Sequence, residues 1–516
     1  MARLHEYQGK AILAANGFEI PRGRAASTAD QAVAAAKGLA GGEMGGEVVI
    51  KIQAWTTGRA GIGGVAFAKK PDDVRAHAAR MLAMKVGQFP VEAVLVEEKI
   101  AIEREFFLSF AIDDAARAPV IIFAVGGGSG IEERAASTRR IACDVNCGPL
   151  DSAVGEAVAS CGLSPVHAAQ LAESIQRLFA AARSVEARSL EINPLVLTKD
   201  GQFVAADCRI TIDDYAVVRH PELGIEIARE FDHPPTALER VAYAVEQNDH
   251  RGTFYFAQLA TIAAKDSKGL VGFHGAGGGG SMMSMDAIVN AGFTIANFTD
   301  TSGNPSASKV YRAARIILAQ PDLVGYFGSG SGVASQEQYW SAYGLAKAFW
   351  ELDLDIPAVI RLGGNTEDRA VDILQSMSKL LRAPVEGYRK TDAPATIAGR
   401  FAEVVGSAGG TKWKPRAPRM PKFIKNKSAT MLPVKGGRVW IDTARWSQIR
   451  PAVETHSSGL IVDRAGAPAA ALPNEEFANK DSELLACDVE CRLAGVEGFY
   501  LELDIPGLEQ LIGGAH

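Results

Sequence analysis

Between residues 251 and 409 the sequence alternates between short apolar runs and helix-like segments. The runs GLVGFHGAG, FTIANF, LVGYFGSGSG and IPAVIRLGG are typical of strands, and most of them end in glycines. Helix-like segments such as SMMSMDAIVNAG and ASKVYRAARIILAQ follow them. Such an alternation predicts parallel strands connected by helices that cover both faces of one sheet. The pattern therefore predicts a doubly wound α/β domain over residues 251–409, with binding at the carboxyl ends of its strands.

One of these strand ends, HGAGGGGSMMSMD at residues 274–286, is open to two interpretations. Gly275, Gly277 and Gly280 match the dinucleotide pattern G-x-G-x-x-G, and Asp300 lies 20 residues further on, about where that pattern places an acid for the ribose. An isolated match of this kind is a weak signal. The alternative is an anion held by backbone amides at the start of a helix.

The bulk composition excludes several classes of protein. A chain of 516 residues is expected to form about two to four domains. The net charge of −6 gives no sign of a nucleic-acid partner. The start MARLHEYQGK has no apolar leader, and no run of 18 apolar residues occurs, so we expect a cytoplasmic protein without a membrane segment.

Six cysteines in a chain of this length do not indicate a disulfide framework. Two pairs share the spacing C-x-x-x-C, Cys143 with Cys147 and Cys487 with Cys491. A four-thiol metal site would require both pairs to meet in space, and buried free thiols are the commoner outcome. We therefore favour free cysteines.

A candidate phosphate site lies in the first half of the chain. Lys51 belongs to the strand-like segment EVVIKIQA, just before the glycine-rich turn TTGRAGIGG, which contains Gly58 and Arg59. A lysine on a rigid strand beside loop amides is a familiar phosphate-binding arrangement, and arginine adds a forked donor. Taken alone, a surface lysine beside a glycine-rich hairpin is the more common explanation.

Acidic and amide side chains in the same half could serve a nucleotide or a metal ion. Glu97 and Glu105 could accept hydrogen bonds from adenine or ribose, although solvated acids are the favoured alternative. Glu191 and Asn193 belong to EINP, and a KDG hairpin turn brings Asn193 opposite Asp207. Asn with Asp suits Mg²⁺, which prefers oxygen ligands and keeps waters. A polar hairpin surface explains these residues equally well.

The C-terminal part of the chain changes composition. Residues 410–438 are basic and proline-rich, without Asp or Glu from Lys412 to Arg438, which predicts a linker. Residues 439–516 regain apolar strands such as RVWID and GFYLELDI. They predict a small third α/β domain without a chemical motif of its own.

An ordered string of segments resembles the ATP-grasp β subunits of the succinyl-CoA synthetase type: LHEYQGK (4–10), ANGFEIPRG (15–23), VVIKIQ (48–53), LVEEKIAIERE (95–105), EINPLVLTKDG (191–201), GAG…SMD (275–286), ANFTD (296–300) and VIRLGGN (359–365). The resemblance covers residues 1 to about 400. The wider family of NDP-forming acid–CoA ligases includes malate–CoA ligase and the amino-terminal part of ATP-citrate lyase. GGGGSMMSMD and SGNPS resemble the citrate-lyase branch more closely than the succinate branch.

The resemblance implies a fold and a reaction. It implies an ATP-grasp domain over residues 1–245 and a flavodoxin-like domain over residues 251–409. In this family ATP or GTP phosphorylates a histidine of an α-type partner, the phosphoryl group passes to a carboxylate as an acyl phosphate, and CoA attacks. Asn193 and Asp207 would hold Mg²⁺, and Glu191 would orient or stabilise the phosphohistidine. By matched position, the residues that would hold the nucleotide are Lys51, Gly58, Arg59, Glu97 and Glu105.

For the second domain the resemblance implies a cradle for a small carboxylate, in which Asp300 has no ribose role. The sequence departs from the family at two informative positions: His274 replaces an Asn, and Leu362, next to Arg361, replaces an arginine of the citrate branch. The missing cation argues against a tricarboxylate, while other acids, including a hydroxy-acid or a sulfonate, stay open. The expected substrate-binding residues are His274, Gly275, Gly277, Gly278, Gly328, Ser329 and Ser331.

The resemblance also implies an α-type partner in a heteromer. The relay histidine and the domain that binds most of CoA belong to that partner in the family, and none of the nine histidines here has the relay context. Ala60 and Gly61 stand where the family usually has Gly and Lys, so a catalytically silent regulatory or assembly subunit is one alternative. A subunit like ATP-citrate lyase or citryl-CoA synthetase is a second alternative, and an NAD-binding dehydrogenase is a third. Retention of the predicted phosphate and metal ligands favours an active ligase.

Overall fold

The computed structural model describes residues 1–39, 46–127, 138–247, 253–330, 332 and 334–418, together with three short strands between residues 432 and 503. The chain forms two compact units, Met1–Pro235 and Thr236–His516. Most of the predicted linker and nearly all of the predicted C-terminal domain lie outside the described residues, as do Ser331, Cys487 and Cys491.

The first unit mixes helices and antiparallel strands. Its helices are α1 (Glu6–Ala15), α2 (Ala29–Leu39), α3 (Pro71–Leu82), α4 (Asp151–Ala159) and α5 (Pro165–Ser184), followed by short 3₁₀ turns at Val217–Arg219 and Pro221–Leu223. Its strands are β1 (Ala2–Arg3), β2 (Gly23–Ala26), β3 (Val48–Ile52), β4 (Val65–Ala68), β5 (Lys85–Val86), β6 (Phe89–Pro90), β7 (Val94–Glu98), β8 (Ile102–Asp113), β9 (Ala118–Val125), β10 (Arg139–Asp144), β11 (Gly148–Pro149), β12 (Ala187–Thr198), β13 (Phe203–Ala205) and β14 (Cys208–Ile212).

Two antiparallel sheets carry the first unit. The smaller one has the order β2-β7-β3-β4, and α2 and α3 cover it with small apolar side chains. The larger one has the order β1-β14-β12-β8-β9-β10-β11, with β13 paired to β12, and α1, α4 and α5 pack against it. The predicted KDG hairpin is confirmed, because β12 and β13 pair with Leu197 opposite Phe203.

Helix α5 shows how local sequence sets one of these elements. The hydroxyl of Ser164 accepts from the backbone N–H of His167 at 3.3 Å and so caps the helix, while Pro165 occupies the first helical position. Apolar residues then recur at helical spacing and are buried against the larger sheet: Leu171, Ile175, Leu178 and Ala182.

The second unit alternates strands and helices. Its helices are α6 (Ala237–Gln247), α7 (Gly278–Asn290), α8 (Ala307–Ile317), α9 (Tyr339–Glu351), α10 (Glu367–Ser378) and α11 (Pro394–Ser407). Its strands are β15 (Tyr255–Gln258), β16 (Leu270–Ala276), β17 (Thr294–Asp300), β18 (Leu323–Gly330), β19 (Ala334–Glu337), β20 (Ala358–Arg361), β21 (Gly364–Asn365), β22 (Val385–Tyr388), β23 (Leu432–Val434), β24 (Val439–Asp442) and β25 (Gly498–Leu503).

The main sheet of the second unit has the order β15-β17-β16-β18-β20-β22. Strand β15 is antiparallel to its neighbour, and the other strands are parallel. Numbered along the chain, the parallel strands follow the flavodoxin-like order 2-1-3-4-5. The predicted doubly wound α/β fold is therefore confirmed, and its topological switch point lies between β16 and β18.

Helices cover both faces of this sheet. Ile288 of α7 and Phe401 of α11 pack on one face with Phe273 and Phe327. Helices α8, α9 and α10 pack on the other face, where Tyr326 contacts the ring of Phe349 edge-on. Because side chains alternate along each strand, neighbouring residues at the switch point belong to opposite faces.

The division between the units falls between Pro235 and Thr236, so α6 packs within the second unit. The four predicted domain ranges stay a prediction. The described pair Cys143 and Cys147 are free thiols. None of the described helices is both long and apolar enough to span a membrane.

Candidate functional site

Six charged side chains of the first unit form one group, which we call the charge cluster: Glu6, Lys10, Lys51, Arg59, Glu97 and Asp207. They come from α1, β3, the glycine-rich turn after β3, β7 and the residue before β14. Three carboxylates balance three cations. This balance is what allows so many charges to leave water together.

Two acids and two lysines alternate at the centre of the charge cluster. Nζ of Lys10 lies 2.8 Å from Oε1 of Glu6 and 2.5 Å from Oε1 of Glu97. Nζ of Lys51 lies 2.8 Å from Oε1 of Glu6 and 2.9 Å from Oε2 of Glu97. That Oε2 accepts no hydrogen bond of regular geometry, so its contact with Lys51 is an ion pair. Both amines donate to the carbonyl oxygen of Ala206, at 2.8 and 2.9 Å.

Arg59 links this centre to Asp207. Its NH1 donates to Oε2 of Glu6 at 2.8 Å and to the carbonyl oxygen of Ile52 at 3.1 Å. Its NH2 lies 2.5 Å from Oδ2 of Asp207. Gly58, directly before Arg59, is exposed and has a left-handed φ of 62°. The predicted phosphate ligand Arg59 and the predicted metal ligand Asp207 are thus paired, and a metal ion bound at Asp207 would compete with that contact.

Opposite charges keep Glu6 and Lys51 ionised. Burial alone would raise the pKa of Glu6, but the three neighbouring cations outweigh it and hold that pKa well below its usual range. Burial alone would lower the pKa of Lys51, but the carboxylates of Glu6, Glu97 and Asp207 raise it above its usual range. The charge cluster therefore holds permanent charges of both signs on fixed side chains.

The predicted metal ligands lie next to each other. The backbone N–H of Asn193 donates to the carbonyl oxygen of Asp207 at 3.1 Å, and the side-chain amide of Asn193 donates to Oε1 of Glu191 at 3.2 Å. Glu191 faces Arg209 across β12 and β14. Glu105 lies on the adjacent strand β8, opposite Val196 of β12. The structure thus brings Glu191, Asn193 and Asp207 together and places Glu105 apart from them.

These residues fit a nucleotide with its divalent cation. Amide and carboxylate oxygens suit Mg²⁺, and two protein ligands leave room for water and phosphate. Within the described part of the chain, no group of three or more His, Cys, Asp or Glu is placed to hold a metal by itself. A cavity of about 320 Å³ borders Arg59 and Asp207, with Trp55, Thr56 and Arg209 also in its wall. Open space therefore lies beside both kinds of predicted ligand.

Glu6 and Lys10 were missed by the sequence reasoning. They lie four residues apart on α1, a spacing at which opposite charges meet on a helix, and Glu6 occupies the first turn, where the helix dipole favours an acid. That spacing was a usable signal, but most such pairs are solvated. Contacts with Lys51 and Glu97 bury this one.

In the second unit the glycine run forms the turn from β16 into α7. Gly277 and Gly278 have φ of 110° and 25°, which disfavours an L side chain at either position. A Cβ on Gly275 would lie 2.9 Å from Ser281 and 2.9 Å from the carbonyl oxygen of Thr299. The first-turn amides of α7 have no partner within the helix. Close packing and the amides at the start of α7 fit an anion cradle better than a side-chain site.

The carboxylate of Asp300 stabilises this turn by hydrogen bonds. Its Oδ1 accepts from the backbone N–H of Gly277 at 3.3 Å and of Ser302 at 2.8 Å. Its Oδ2 accepts from the hydroxyl of Ser302 at 3.1 Å. The carboxylate joins the loop after β17 to the start of α7, which accounts for its place after the glycine pattern without a ribose.

Ser329 faces α7. Its Oγ lies 2.7 Å from Oγ of Ser284, and its carbonyl oxygen accepts from the hydroxyl of Ser281 at 3.3 Å. Ser329 pairs with Gly275 across β18 and β16. Ser329 and Gly275 are thus brought together beside the turn that contains Gly277.

His274 faces the opposite side of the sheet, as does its register partner Gly328. Its Nδ1 lies 2.6 Å from the hydroxyl of Tyr326, and its Nε2 lies 3.0 Å from Oγ1 of Thr301. Burial lowers the pKa of His274 to about 3, so the ring is neutral. Both ring nitrogens have protein partners, and the sheet separates His274 from Ser329. The role of His274 in substrate binding stays a prediction.

Neither Leu362 nor Arg361 offers a free cation for a tricarboxylate. Leu362 is buried in the apolar core. Arg361 donates to three carbonyl oxygens, those of Asp392 at 3.0 Å, Gly330 at 2.8 Å and Lys390 at 2.8 Å. Its guanidinium therefore joins the end of β18 to the loop after β22.

Known proteins resemble both units. The ATP-grasp domain family model matches residues 3–197. The β subunit of an ADP-forming succinate–CoA ligase from Rubrobacter xylanophilus is 32% identical over 376 residues, which cover 72% of this chain and 92% of that protein. The β subunit of a GDP-forming succinate–CoA ligase from Thermus thermophilus is 34% identical over 377 residues, which cover 72% and 93%.

A solved structure agrees in fold. ATP citrate lyase from Methanothrix soehngenii, in complex with citrate and coenzyme A, aligns with a TM-score of 0.59 at 18% identity, over 78% of this chain and 99% of that chain. The family assignment rests on the sequence relatives, because they are 32 and 34% identical and are spanned almost completely. The chain therefore belongs to the succinate–CoA ligase β-subunit family, a family of acid–thiol ligases.

Proposed function

We propose that this chain is the β-type subunit of an NDP-forming carboxylate–CoA ligase, in which it binds ATP or GTP with Mg²⁺. The observation that carries the proposal is the meeting of Lys51, Arg59 and Asp207 in one charge cluster beside an open cavity. Phosphoryl transfer depends mainly on positioning and charge neutralisation. Fixed cations next to oxygen ligands for a divalent ion supply both.

Within this proposal each residue has a distinct task. Lys51 and Arg59 bind phosphate oxygens, and Gly58 lets the turn approach them. Asn193 and Asp207 hold Mg²⁺, which supplies further charge neutralisation on the phosphates when bound. Glu191, already hydrogen-bonded to Asn193 at 3.2 Å, orients the histidine of the partner subunit that accepts the phosphoryl group.

The second unit provides the carboxylate cradle of the proposed reaction. First-turn amides of α7 at Gly278 and its neighbours favour an anionic group, and Ser329 lies beside them. Leu362 is buried, and Arg361 is bound to backbone carbonyls. These two observations favour a mono- or dicarboxylate over a tricarboxylate.

The proposed enzyme is a heteromer. The relatives are named β subunits, and an α-type partner would supply the relay histidine and most of the CoA site. This chain would then contribute the nucleotide site and the carboxylate cradle.

Reconstitution tests the proposal. The full chain is mixed with the α-type subunit from the same source, Mg·ATP or Mg·GTP, CoA and one acid at a time from a panel of succinate, malate, citrate and a sulfonated acid. We expect NDP release that requires the partner, CoA and one acid other than citrate. Asp207→Ala should lower the rate by more than ~100-fold because a metal ligand is lost.

The matched control is Asp200→Ala, at an exposed acid in the hairpin turn after β12, which should keep the wild-type rate. Failure of every acid, together with binding of NADH by the chain, would contradict the ligase assignment. Full activity in Asp207→Ala would remove the metal assignment alone.

A further inference from the structure

Glu6 contacts every cation of the charge cluster. Its Oε1 lies 2.8 Å from Nζ of both Lys10 and Lys51, and its Oε2 accepts from NH1 of Arg59 at 2.8 Å. The other two carboxylates each contact fewer cations. Glu6 is therefore the acid that joins the two proposed phosphate ligands to each other.

The side chains of the charge cluster differ in how much of their surface is exposed. The side chain of Asp207 is 32% exposed, and those of Arg59 and Lys51 are 13% and 12% exposed. Lys10 and Glu6 lie behind them, at 3% and 2%. Lys51 and Arg59 expose more of their side chains than Glu6 does. Glu6 also borders the cavity, but both of its carboxylate oxygens are bound by cations of the charge cluster, so it acts on a phosphate mainly through them.

Fixing long cationic side chains has a clear kinetic value. Ordering a long Lys or Arg side chain costs rotamer entropy, which Glu6 helps to offset before any ligand arrives. A misplacement of about 1 Å in a phosphoryl-transfer site can lower the rate about 100-fold. The carboxylate of Glu6 is negative and would repel a phosphate group. Its benefit must therefore lie in how it places Lys51 and Arg59.

We propose that Glu6 is a positioning residue for phosphoryl transfer, which holds the amine of Lys51 and the guanidinium of Arg59 at a fixed separation. Lys10 neutralises the carboxylates of Glu6 and Glu97 from behind and so keeps the arrangement stable without touching the nucleotide. This inference rests on the proposed function, because it concerns the same nucleotide site.

The first test is Glu6→Gln in the full chain assembled with its α-type partner. We expect kcat for NDP release to fall by about 10- to 100-fold, because the two phosphate ligands lose their common anchor. The Kd for Mg·ATP or Mg·GTP, measured by calorimetry, should stay within about threefold of the wild-type value. The loss of the anchor weakens nucleotide binding, but removal of a negative charge strengthens it. A drop in kcat at nearly constant Kd is the signature of lost positioning.

A charge-balanced variant separates positioning from folding. Glu6→Gln leaves a surplus buried cation, whereas Glu6→Gln with Lys10→Met removes one charge of each sign. We expect the double variant to recover much of the lost Tm while its kcat stays low, since Lys51 and Arg59 still lack Glu6. A purely structural role predicts that kcat recovers together with Tm.

Glu351→Gln in the second unit is the matched control. The side chain of Glu351 is fully buried, contacts Lys347 of the same helix at 2.7 Å and accepts from the hydroxyl of Tyr311 at 2.6 Å. Its loss should lower Tm in the way that Glu6→Gln does. It should leave the kcat of NDP release near the wild-type value.

Each outcome has one meaning. Wild-type kcat in the folded Glu6→Gln variant, or in the charge-balanced variant, would overturn the inference while leaving the proposed function intact. A wild-type complex that releases no NDP would overturn the proposed function and the inference with it.

Discussion

The charge cluster of the first unit and the switch point of the second unit differ in what sets the pKa of their buried side chains. In the charge cluster, opposite charges outweigh the effect of burial, so that the pKa of Glu6 falls and the pKa of Lys51 rises. At the switch point, burial acts on His274 without a charged partner, and its pKa falls to about 3. The charge cluster keeps permanent charges, whereas His274 is a neutral ring bound by neutral hydroxyls.

The difference follows from what each region is proposed to bind. A nucleoside triphosphate carries several charges, and cations that acids already hold in place can neutralise them without rearranging. A small carboxylate carries less charge, and amides at the start of a helix can bind it without a charged side chain. Paired charges and neutral dipoles are two ways to prepare a site for an anion in advance.

The largest expected effect concerns pH and His274. Its folded-state pKa of about 3 lies below the ordinary value of 6.5, so the unfolded chain binds the proton more readily between these values. The stability contribution is complete above pH 6.5 and is lost as the pH falls toward 3, with about 2 kcal/mol lost between pH 6.5 and 4.5 and more below that. His274→Asn should flatten this slope, as measured by urea unfolding at several pH values.

The two proteins are compared by the slope of the free energy of unfolding against pH, because His274→Asn also changes packing at every pH. Glu6 acts in the same sense but at lower pH, since its depressed pKa means that its contribution is complete above about 4.5. An unchanged slope between pH 6.5 and 4.5 in His274→Asn would show that the ring is not held neutral, and the contrast between the two regions would fail.

The second prediction concerns how closely the backbone packs at Gly275, in the turn between β16 and α7. In Gly275→Ala the new Cβ would meet the carbonyl oxygen of Thr299 at 2.9 Å, and backbone cannot move aside cheaply. We expect a loss of about 2 kcal/mol in the free energy of unfolding. Chemical denaturation measures it.

Gly61→Ala is the control in the glycine-rich turn of the first unit. Its Cβ would lie 3.4 Å from the nearest atom, the carbonyl oxygen of Gly58, so stability should change by less than about 0.5 kcal/mol. Equal losses in both variants would mean that the two glycine runs do not differ in packing.

The smallest expected effect concerns the hydroxyl pair between β18 and α7. Ser329→Ala removes the 2.7 Å contact with Ser284, whose hydroxyl still donates to the carbonyl oxygen of Gly280 at 3.0 Å. We expect a loss of about 1 kcal/mol. Ser284→Ala should cost a similar amount, and the double variant should lose less than the sum. Strict additivity of the two losses would show that these hydroxyls do not interact.

Several parts of this architecture could be predicted from sequence because the signals are local. Alternating apolar runs and helices predicted the parallel sheet, and KDG predicted the hairpin between β12 and β13. Lys51, Arg59 and Asp207 were identified from residue types typical of phosphate and metal sites, and the structure brings them together. Glu6 and Lys10 were missed because a Glu–Lys pair four residues apart is common on solvated helices.

By itself, the sequence determined which segments form strands and helices, because periodicity and turn residues act over a few positions. It also determined that several strands of the second unit end at glycines. Only the tertiary structure decided which charges meet, since Glu97 and Ala206 approach Lys10 from 87 and 196 residues away. Only the structure decided that His274 and Ser329 face opposite sides of one sheet, because that depends on strand register and on the helices that cover each face.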